Sequence, residues 1–294
     1  MEGVKSVADE PPSMTRRLRT LAGVTTALTF VLILLGLHTG STGGGLSCGT
    51  RWPLCNGWMG LFPANWASFF EWIHRFFAMV VGFLLLGLLY GVWRWQDDKR
   101  IRYSVTAAIA ILPSQIVLGG ITTTAGGMFP KGFNPVIMTA HFTTASVIFV
   151  LIVYATARLS GAPAAQGVRQ VVGASVAFLA GHLVFEFLSV FAYQPANQVG
   201  YYATSFALLA AFVALLVWSE SAVDPANLLR FRSVAAAGTL VLFADMILSR
   251  KLWGVSQLVG DATTMVLVAL VVILAFVANR TVVATDSVAT QRAD

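Results

Sequence analysis

Eight separate runs of about 20 mostly apolar residues constrain this chain more than any other feature of its sequence. Such a run has the length that an α-helix needs to cross the hydrocarbon core of a bilayer. Only 11% of the 294 residues are charged, whereas about a quarter are charged in a soluble domain. We therefore predict an all-α integral membrane protein. The predicted spans lie near residues 20–40, 70–93, 104–124, 135–157, 171–193, 201–219, 233–250 and 257–279.

The distribution of basic residues orients these spans and argues against nucleic-acid binding. The formal net charge is +6, with 19 lysines and arginines. If the N-terminus is cytoplasmic, 14 of these residues fall in cytoplasmic segments and five in outer segments, which is the positive-inside bias. Both termini are then expected in the cytoplasm. Residues 1–14 resemble neither a signal peptide nor a transit peptide.

A repeated pattern suggests internal duplication. Residues 35–44 (LGLHTGSTGG) and 118–127 (LGGITTTAGG) share Leu-Gly, then Thr, then Gly-Gly at the same spacing, each at the outer end of a span. Glycine and threonine are common in membrane helices, but their matched position favours a repeat. We expect two pseudo-repeated four-helix bundles. The expected units are a cytoplasmic tail (1–19), a first bundle with the functional site (20–158), a cytoplasmic linker (159–170), a second bundle (171–280) and a cytoplasmic tail (281–294).

The two cysteines of the chain, Cys48 and Cys55, both fall in the first outer loop. Disulfides persist outside the cytoplasm, and a bridge over so short a loop would stabilise the fold by roughly 2–3 kcal/mol. A disulfide is therefore favoured, and it would also be able to take part in redox chemistry. A reactive thiol pair and two free thiols are the alternatives.

Ionisable residues inside the first four spans are candidates for function, because they cost free energy in lipid. Glu71 and His74 are three residues apart and share one face of the second span. His74 and His141 lie at similar depths on parallel spans, roughly 6–10 Å below the outer surface. Two such imidazoles can reach both axial positions of a haem iron. The alternative is two unrelated polar residues, each paired with backbone or water.

Two arginines lie close to the depth of His74 and His141 in the membrane. Arg75 follows His74, and Arg51 is in the loop above it. Guanidinium groups in this position would suit the anionic propionates of a haem. They would equally suit lipid phosphates.

The first half of the chain resembles the haem A synthase family. The resemblance is carried by residues 42–48 (TGGGLSC), 52–57 (WPLCNG) and 71–75 (EWIHR), and residues 115–122 (QIVLGGIT) and the span around His141 fit the same pattern. Two cysteines seven positions apart, followed by Glu-x-x-His-Arg, make a specific combination. The resemblance covers roughly residues 20–158.

This resemblance implies an eight-helix enzyme of prokaryotic plasma membranes that oxidises the C8 methyl group of haem o to a formyl group, giving haem A for terminal oxidases. It implies that His74 and His141 flank the iron of a haem (haem o or haem b), that Glu71 is the essential carboxylate, and that Cys48 and Cys55 form a disulfide. The expected partners are haem o and membrane lipid. Haem O synthase and a second copy of the chain are further candidates.

The second half departs from the family, which holds a second haem b there between two histidines. The sixth span begins with residues 197–202 (NQVGYY), and Asp261 stands in the eighth span where a ligand is expected. We therefore predict that this second haem is absent. His182 and Glu186 form a possible second polar site, as a buried hydrogen-bonded pair or, alternatively, a proton path or single haem ligand. Asp245 and Asp261, near outer helix ends, are expected to cap helices or face loops.

Three functions follow from these residues. The first is haem A synthase, which the intact first half favours because haem binding alone would not need Glu71. The second is a haem-binding electron-transfer or haem-handling protein, which the loss of the second histidine pair favours. The third is a membrane thiol–disulfide exchanger that uses Cys48 and Cys55, but such proteins normally carry further cysteines.

Overall fold

The computed structural model describes residues 12–49, 51, 54–61, 63–124, 134–191, 194–248 and 257–282. Its helices are α1 (Pro12–Ser41), α2 (Trp66–Trp95), α3 (Lys99–Thr124), α4 (Pro135–Ser160), α5 (Ala165–Phe191), α6 (Pro195–Ala222), α7 (Pro225–Leu248) and α8 (Gln257–Thr281), with a short 3₁₀ helix at Gly44–Leu46. All eight α-helices are long and apolar enough to cross a membrane. The predicted all-α fold with eight spans is confirmed. The described residues contain no β-strand, and an isolated β-bridge joins Val223 to Val282.

Several helices extend beyond the apolar runs that predicted them. Helix α1 begins at Pro12 rather than near residue 20, so that Arg16, Arg17 and Arg19 are helical. Long basic side chains can reach water at the membrane edge while their backbone continues the helix. Helix α5 begins at Ala165, inside the segment predicted as a linker. The connection between α4 and α5 is therefore only residues 161–164.

The helices form two rings of four. In the first ring, α1 packs against α2, α2 against α3, α3 against α4, and α4 returns to α1. In the second ring, α5 packs against α6, α6 against α7, α7 against α8, and α8 returns to α5. We call these rings the first and second bundles. Each bundle encloses a core that four helices line, which is where ligand sites of helical bundles are built.

Helix α6 joins the two bundles, because it packs against both α1 and α4. Of the eight spans it is the most deeply buried. Phe206 of α6 meets Phe142 and Phe149 of α4 edge-to-face, with ring centroids 5.8 and 5.4 Å apart. Such aromatic pairs contribute about 0.5–1.5 kcal/mol each beyond the area that they bury. The interface between the bundles is thus an aromatic seam between α4 and α6.

A charged cluster lies at one end of this seam, where α6 ends. We call this end of the molecule the Glu220 end. Glu220 lies 3.3 to 3.5 Å from the guanidinium nitrogens of Arg100, Arg158 and Arg232. Arg158 also pairs with Asp98 at 2.9 Å. Partial burial raises the pKa of Asp98, but the hydrogen bonds from the Arg100 backbone and the Arg158 side chain, with their charges, hold it below its ordinary value. The carboxylate of Glu220 on α6 therefore connects this helix with α3, α4 and α7.

We expect Glu220→Gln to lower the midpoint of thermal unfolding in low salt, because it removes the central anion while keeping the side-chain shape. The loss should be modest, about 1 kcal/mol or less per exposed pair, and should shrink in high salt. Asp97→Asn is the matched control, since the Asp97 side chain is 81% exposed and pairs only with Arg102 of the neighbouring helix. An equal effect in both variants would contradict a role for Glu220 in joining the bundles.

Candidate functional site

The disulfide that the resemblance implies is present in the structure. Cys48 and Cys55 are bonded, with Cα atoms 4.5 Å apart. Both cysteines are buried, and their sulfur atoms lie 3.4 and 3.7 Å from the carbonyl oxygen of Ser68. Ser68 belongs to the first turn of α2, three residues before Glu71. The bridge therefore holds the loop against the start of the helix that carries the candidate carboxylate.

Glycines let the backbone of this loop cover Glu71 closely. Gly43 has φ of 71°, a left-handed conformation that glycine adopts without strain. A Cβ atom on Gly44 would lie 3.2 Å from the Ala67 carbonyl oxygen, and one on Gly45 would lie 3.9 Å from Glu71 Oε2. Glu71 is only 3% exposed as a result. The 3₁₀ helix Gly44–Leu46 thus shields this carboxylate from water.

Glu71 is paired with Arg75, one turn further along α2. Arg75 Nε donates to Glu71 Oε1 at 2.7 Å, and Arg75 Nη2 donates to the Gly49 carbonyl at 2.7 Å. Both side chains are buried. Arg75 Nη1, in contrast, is buried with no hydrogen-bond partner among the described residues. Arg75 therefore orients the Glu71 carboxyl group and keeps one donor for a further acceptor.

Arg51, the other predicted propionate contact, is an exposed loop residue. Its neighbours at 50, 52 and 53 lie outside the described residues. The structure therefore brings Arg75, but not Arg51, into a defined arrangement with Glu71.

The His74 ring packs against α1 at a glycine, Gly36. A Cβ atom on Gly36 would lie 2.8 Å from His74 Cε1, so only a glycine leaves room for the ring in this position. The ring also interacts with the backbone of Leu32, one turn before Gly36. Its Nδ1 atom is buried without a hydrogen-bond partner in the described part of the chain.

His141 lies against α3 in the equivalent way. A Cβ atom on Gly119 would lie 3.3 Å from His141 Cε1. Gln115, one turn before Gly119, places its side-chain nitrogen 3.4 Å from His141 Nε2, and Thr144 donates a hydrogen bond to the Gln115 oxygen. His141 Nδ1 is again buried without a hydrogen-bond partner among the described residues.

These two histidines fit a haem iron with two axial ligands. His74 lies eight residues after the start of α2 and His141 six after the start of α4, so both are roughly 9–12 Å along parallel helices. They are near enough to interact electrostatically. Buried polar atoms normally have a partner, and one without a partner indicates a missing ligand or ion. Each imidazole leaves one such nitrogen inside the first bundle.

In the second bundle the predicted polar site is larger than the sequence indicated. His182 of α5 is fully buried, and its Nδ1 lies 2.9 Å from Ser205 Oγ of α6. The closest carboxylate to His182 Nε2 is not Glu186, at 3.7 Å, but Asp245 of α7, at 3.3 Å. We call the following set the second-bundle cluster: His182, Glu186, Tyr201, Ser205, Asp245, Thr263 and Thr264.

The expectation for Asp245 was wrong. Its side chain is fully buried rather than at a helix cap or loop, because it accepts hydrogen bonds from Tyr201 at 2.7 Å and Thr263 at 2.6 Å. Asp261 is exposed, as expected of a residue near a helix end.

Sequence reasoning missed Gly36, Gly119 and Gln115 as parts of the histidine sites. The signal was present, since Leu-Gly begins both copies of the repeat at 35–44 and 118–127. The repeat did not indicate that the second residue of each copy, Gly36 or Gly119, faces a histidine of the next helix. Tyr201 and Ser205 carried no such signal.

Comparison with known proteins identifies the family of this chain. The family model described as "COX15-CtaA: Cytochrome oxidase assembly protein" matches residues 19–289. A protein of Bacillus licheniformis named heme A synthase is 34% identical over 148 residues, which are 49% of this chain and 45% of that protein. A protein of the same name from Bacillus pumilus is 32% identical over 135 residues, 45% of this chain and 41% of that protein.

A protein of another name is also similar. A Halobacterium salinarum protein named protoheme IX farnesyltransferase is 35% identical over 129 residues, 44% of this chain and 27% of that protein. The chain spans less than half the length of each of these curated relatives. No solved structure is significantly similar to the chain.

We expect Gly36→Ala to displace the His74 ring and to lower the haem content of the purified protein, because the added Cβ would lie 2.8 Å from that ring. Gly119→Ala should have a smaller effect, since its Cβ would lie 3.3 Å from His141. The measurement is the ratio of haem to protein, with the absorption spectrum.

The matched control is Gly23→Ala in the same helix α1, where a Cβ atom meets nothing within 4 Å. This control should keep its haem and gain up to about 1 kcal/mol of helix stability. Equal haem loss in Gly23→Ala and Gly36→Ala would show that the contact with His74 is not the cause.

Proposed function

We propose that this chain, which belongs to the COX15-CtaA family of cytochrome oxidase assembly proteins, is a haem A synthase that oxidises the C8 methyl group of haem o to a formyl group. The observation that carries the proposal is the pair of buried imidazoles in the first bundle, each with a nitrogen that lacks a partner, beside the Glu71–Arg75 pair. Haem binding alone explains the imidazoles. The water-shielded carboxylate points to chemistry on the bound haem.

Each residue of the first bundle has a distinct task in this proposal. His74 and His141 hold the iron of haem from α2 and α4, and Arg75 Nη1 donates to a propionate. Haem o supplies the methyl group, whose oxidation to a formyl group takes up one oxygen atom and releases electrons to an external acceptor. Glu71, paired with Arg75 and shielded from water by the loop, stabilises positive charge that develops on the substrate or accepts a proton from it. The disulfide holds the loop over this carboxylate.

The second bundle is proposed to hold no haem. Its core contains the second-bundle cluster and the fully buried ring of Tyr202, which donates to the Met246 carbonyl at 2.9 Å. Helices α5 and α6 also approach closely, since a Cβ atom on Gly200 would lie 2.4 Å from the Phe185 ring. These side chains occupy the space between the four helices.

The proposed setting is the plasma membrane of a prokaryote, where haem o would reach the site from haem O synthase. The halobacterial relative named protoheme IX farnesyltransferase supports this partner, because a segment similar to this chain makes up 27% of that protein. A shared segment suggests that haem O synthase and haem A synthase act in succession on the same haem. A homo-oligomer belongs to the same proposal as a candidate arrangement.

The burial of the disulfide argues against the thiol-exchange alternative. Cys48 and Cys55 are 3% and 1% exposed, and thiol–disulfide exchange needs access to an attacking thiolate. The haem-handling alternative differs from the proposal in one measurable way, because it predicts bound haem without an oxidised product.

The first test is to purify the protein from cells that make haem o, and to quantify extracted haem o, its hydroxylated intermediate and haem A per chain. About one haem per chain, including oxidised product, would support catalysis in the first bundle and a second bundle without haem. Haem b alone would favour the haem-handling alternative. A preparation without haem would overturn both.

We expect Glu71→Gln to abolish haem A formation while the haem-to-protein ratio stays unchanged, because the neutral amide cannot stabilise positive charge or accept the proton. The matched control is Glu220→Gln at the opposite end of the molecule, which should retain haem A formation. Full activity in Glu71→Gln would refute the proposed role of this carboxylate.

A further inference from the structure

Polar contacts connect the His182 ring to its neighbours in the second-bundle cluster. Its Nδ1 lies 2.9 Å from Ser205 Oγ, and this oxygen lies 2.6 Å from the Tyr201 carbonyl oxygen. The single hydrogen of the Ser205 hydroxyl can point to either acceptor.

The other nitrogen of this ring faces two carboxyl groups. His182 Nε2 lies 3.3 Å from Asp245 Oδ2 and 3.7 Å from Glu186 Oε2. A bare nitrogen lone pair opposite two carboxylates would be repelled by both. A hydrogen on this nitrogen, or one on a facing carboxyl group, removes this conflict.

Asp245 is surrounded by donors. Tyr201 donates to its Oδ2 at 2.7 Å, and Thr263 and Thr264 lie 2.6 and 3.2 Å from its Oδ1. Hydrogen bonds to the charged form favour that form. Asp245 is therefore the carboxyl group of the cluster whose ionised form the surrounding donors favour.

Glu186 has one such donor among the described residues. Its two oxygens lie 3.0 Å from Thr264 Oγ1, whose single hydrogen is also within reach of Asp245. When that hydrogen points to Asp245, Glu186 can bond to Thr264 only by donating. Among the described residues, ionised Glu186 would also face Asp245 of α7 and Asp261 of α8, with the His182 ring of its own helix nearby and Tyr201 of α6 bonded to Asp245. Two like charges at a partly buried site disfavour ionisation.

We propose that His182, Glu186 and Asp245 form a proton-binding site in the second bundle, in which Glu186 carries an exchangeable proton at neutral pH. Glu186 is the exchanging member because its side chain is 22% exposed, whereas those of His182 and Asp245 are not exposed. It lies five residues before the end of α5, at the same end of the molecule as the disulfide. This site is independent of haem binding in the first bundle.

Infrared spectroscopy tests the proposal on the full-length protein, because a protonated carboxyl group has a carbonyl-stretch band separate from those of carboxylates. We expect such a band at neutral pH, with the downward shift in D₂O that marks an exchangeable proton. It should disappear in Glu186→Gln, which keeps the shape of the side chain. It should persist in the control Glu220→Gln, which alters a partly exposed carboxylate at the opposite end of the molecule.

Absence of the band from the wild-type protein at neutral pH would overturn the proposal, and so would an undiminished band in Glu186→Gln. If Glu186→Gln fails to fold, titration of the wild-type protein decides without it. The band should then decrease as the pH rises, and carboxylate absorption should increase by the matching amount. A band that does not respond to alkaline pH would contradict an exchangeable proton.

Discussion

Lipid offers neither hydrogen bonds nor counter-charges, so every ionisable group within a span must be satisfied by the protein or by a ligand. The two bundles meet this constraint differently. In the second bundle, His182 and Asp245 find partners on all four helices. In the first bundle, Glu71 and Arg75 satisfy each other, but His74 and His141 each keep a buried nitrogen without a partner in the described residues. His182 Nε2 also lacks a hydrogen bond, but it lies 3.3 Å from the Asp245 carboxylate, whereas the corresponding nitrogens of His74 and His141 have no such carboxylate among the described residues.

The sequence predicted the number and place of the helices, because apolar length alone decides whether a helix can span lipid. It also predicted the disulfide pair and the similar depths of His74 and His141, since residue spacing converts directly to height along a helix. It could not predict which residues face each other. In a soluble helix an apolar stripe marks the buried face, whereas in lipid both faces are apolar. This is why Asp245, near the end of α7, was expected to cap a helix or face a loop, whereas its side chain lies in a buried polar cluster.

The Leu-Gly repeat shows how far such a pattern can be interpreted. Small residues at a helix end suggest close helix approach in general. The structure adds that positions 32 and 36 of α1 contact His74, and that positions 115 and 119 of α3 contact His141 in the same order. Each glycine and the residue one turn before it form one receiving surface for an imidazole. In the first bundle, the two copies of the repeat therefore position the imidazole rings of His74 and His141 in the same way.

The second bundle acts on the first, because helix α6 lies directly behind α4, the helix that carries His141. Phe142, the residue after His141, packs edge-to-face on Tyr202 and Phe206 with ring centroids 5.4 and 5.8 Å apart. Close packing of this kind resists rotation of α4 about its axis. Such a rotation would move the His141 ring away from Gly119, against which it lies. The second bundle thus holds the orientation of His141 through buried aromatic rings.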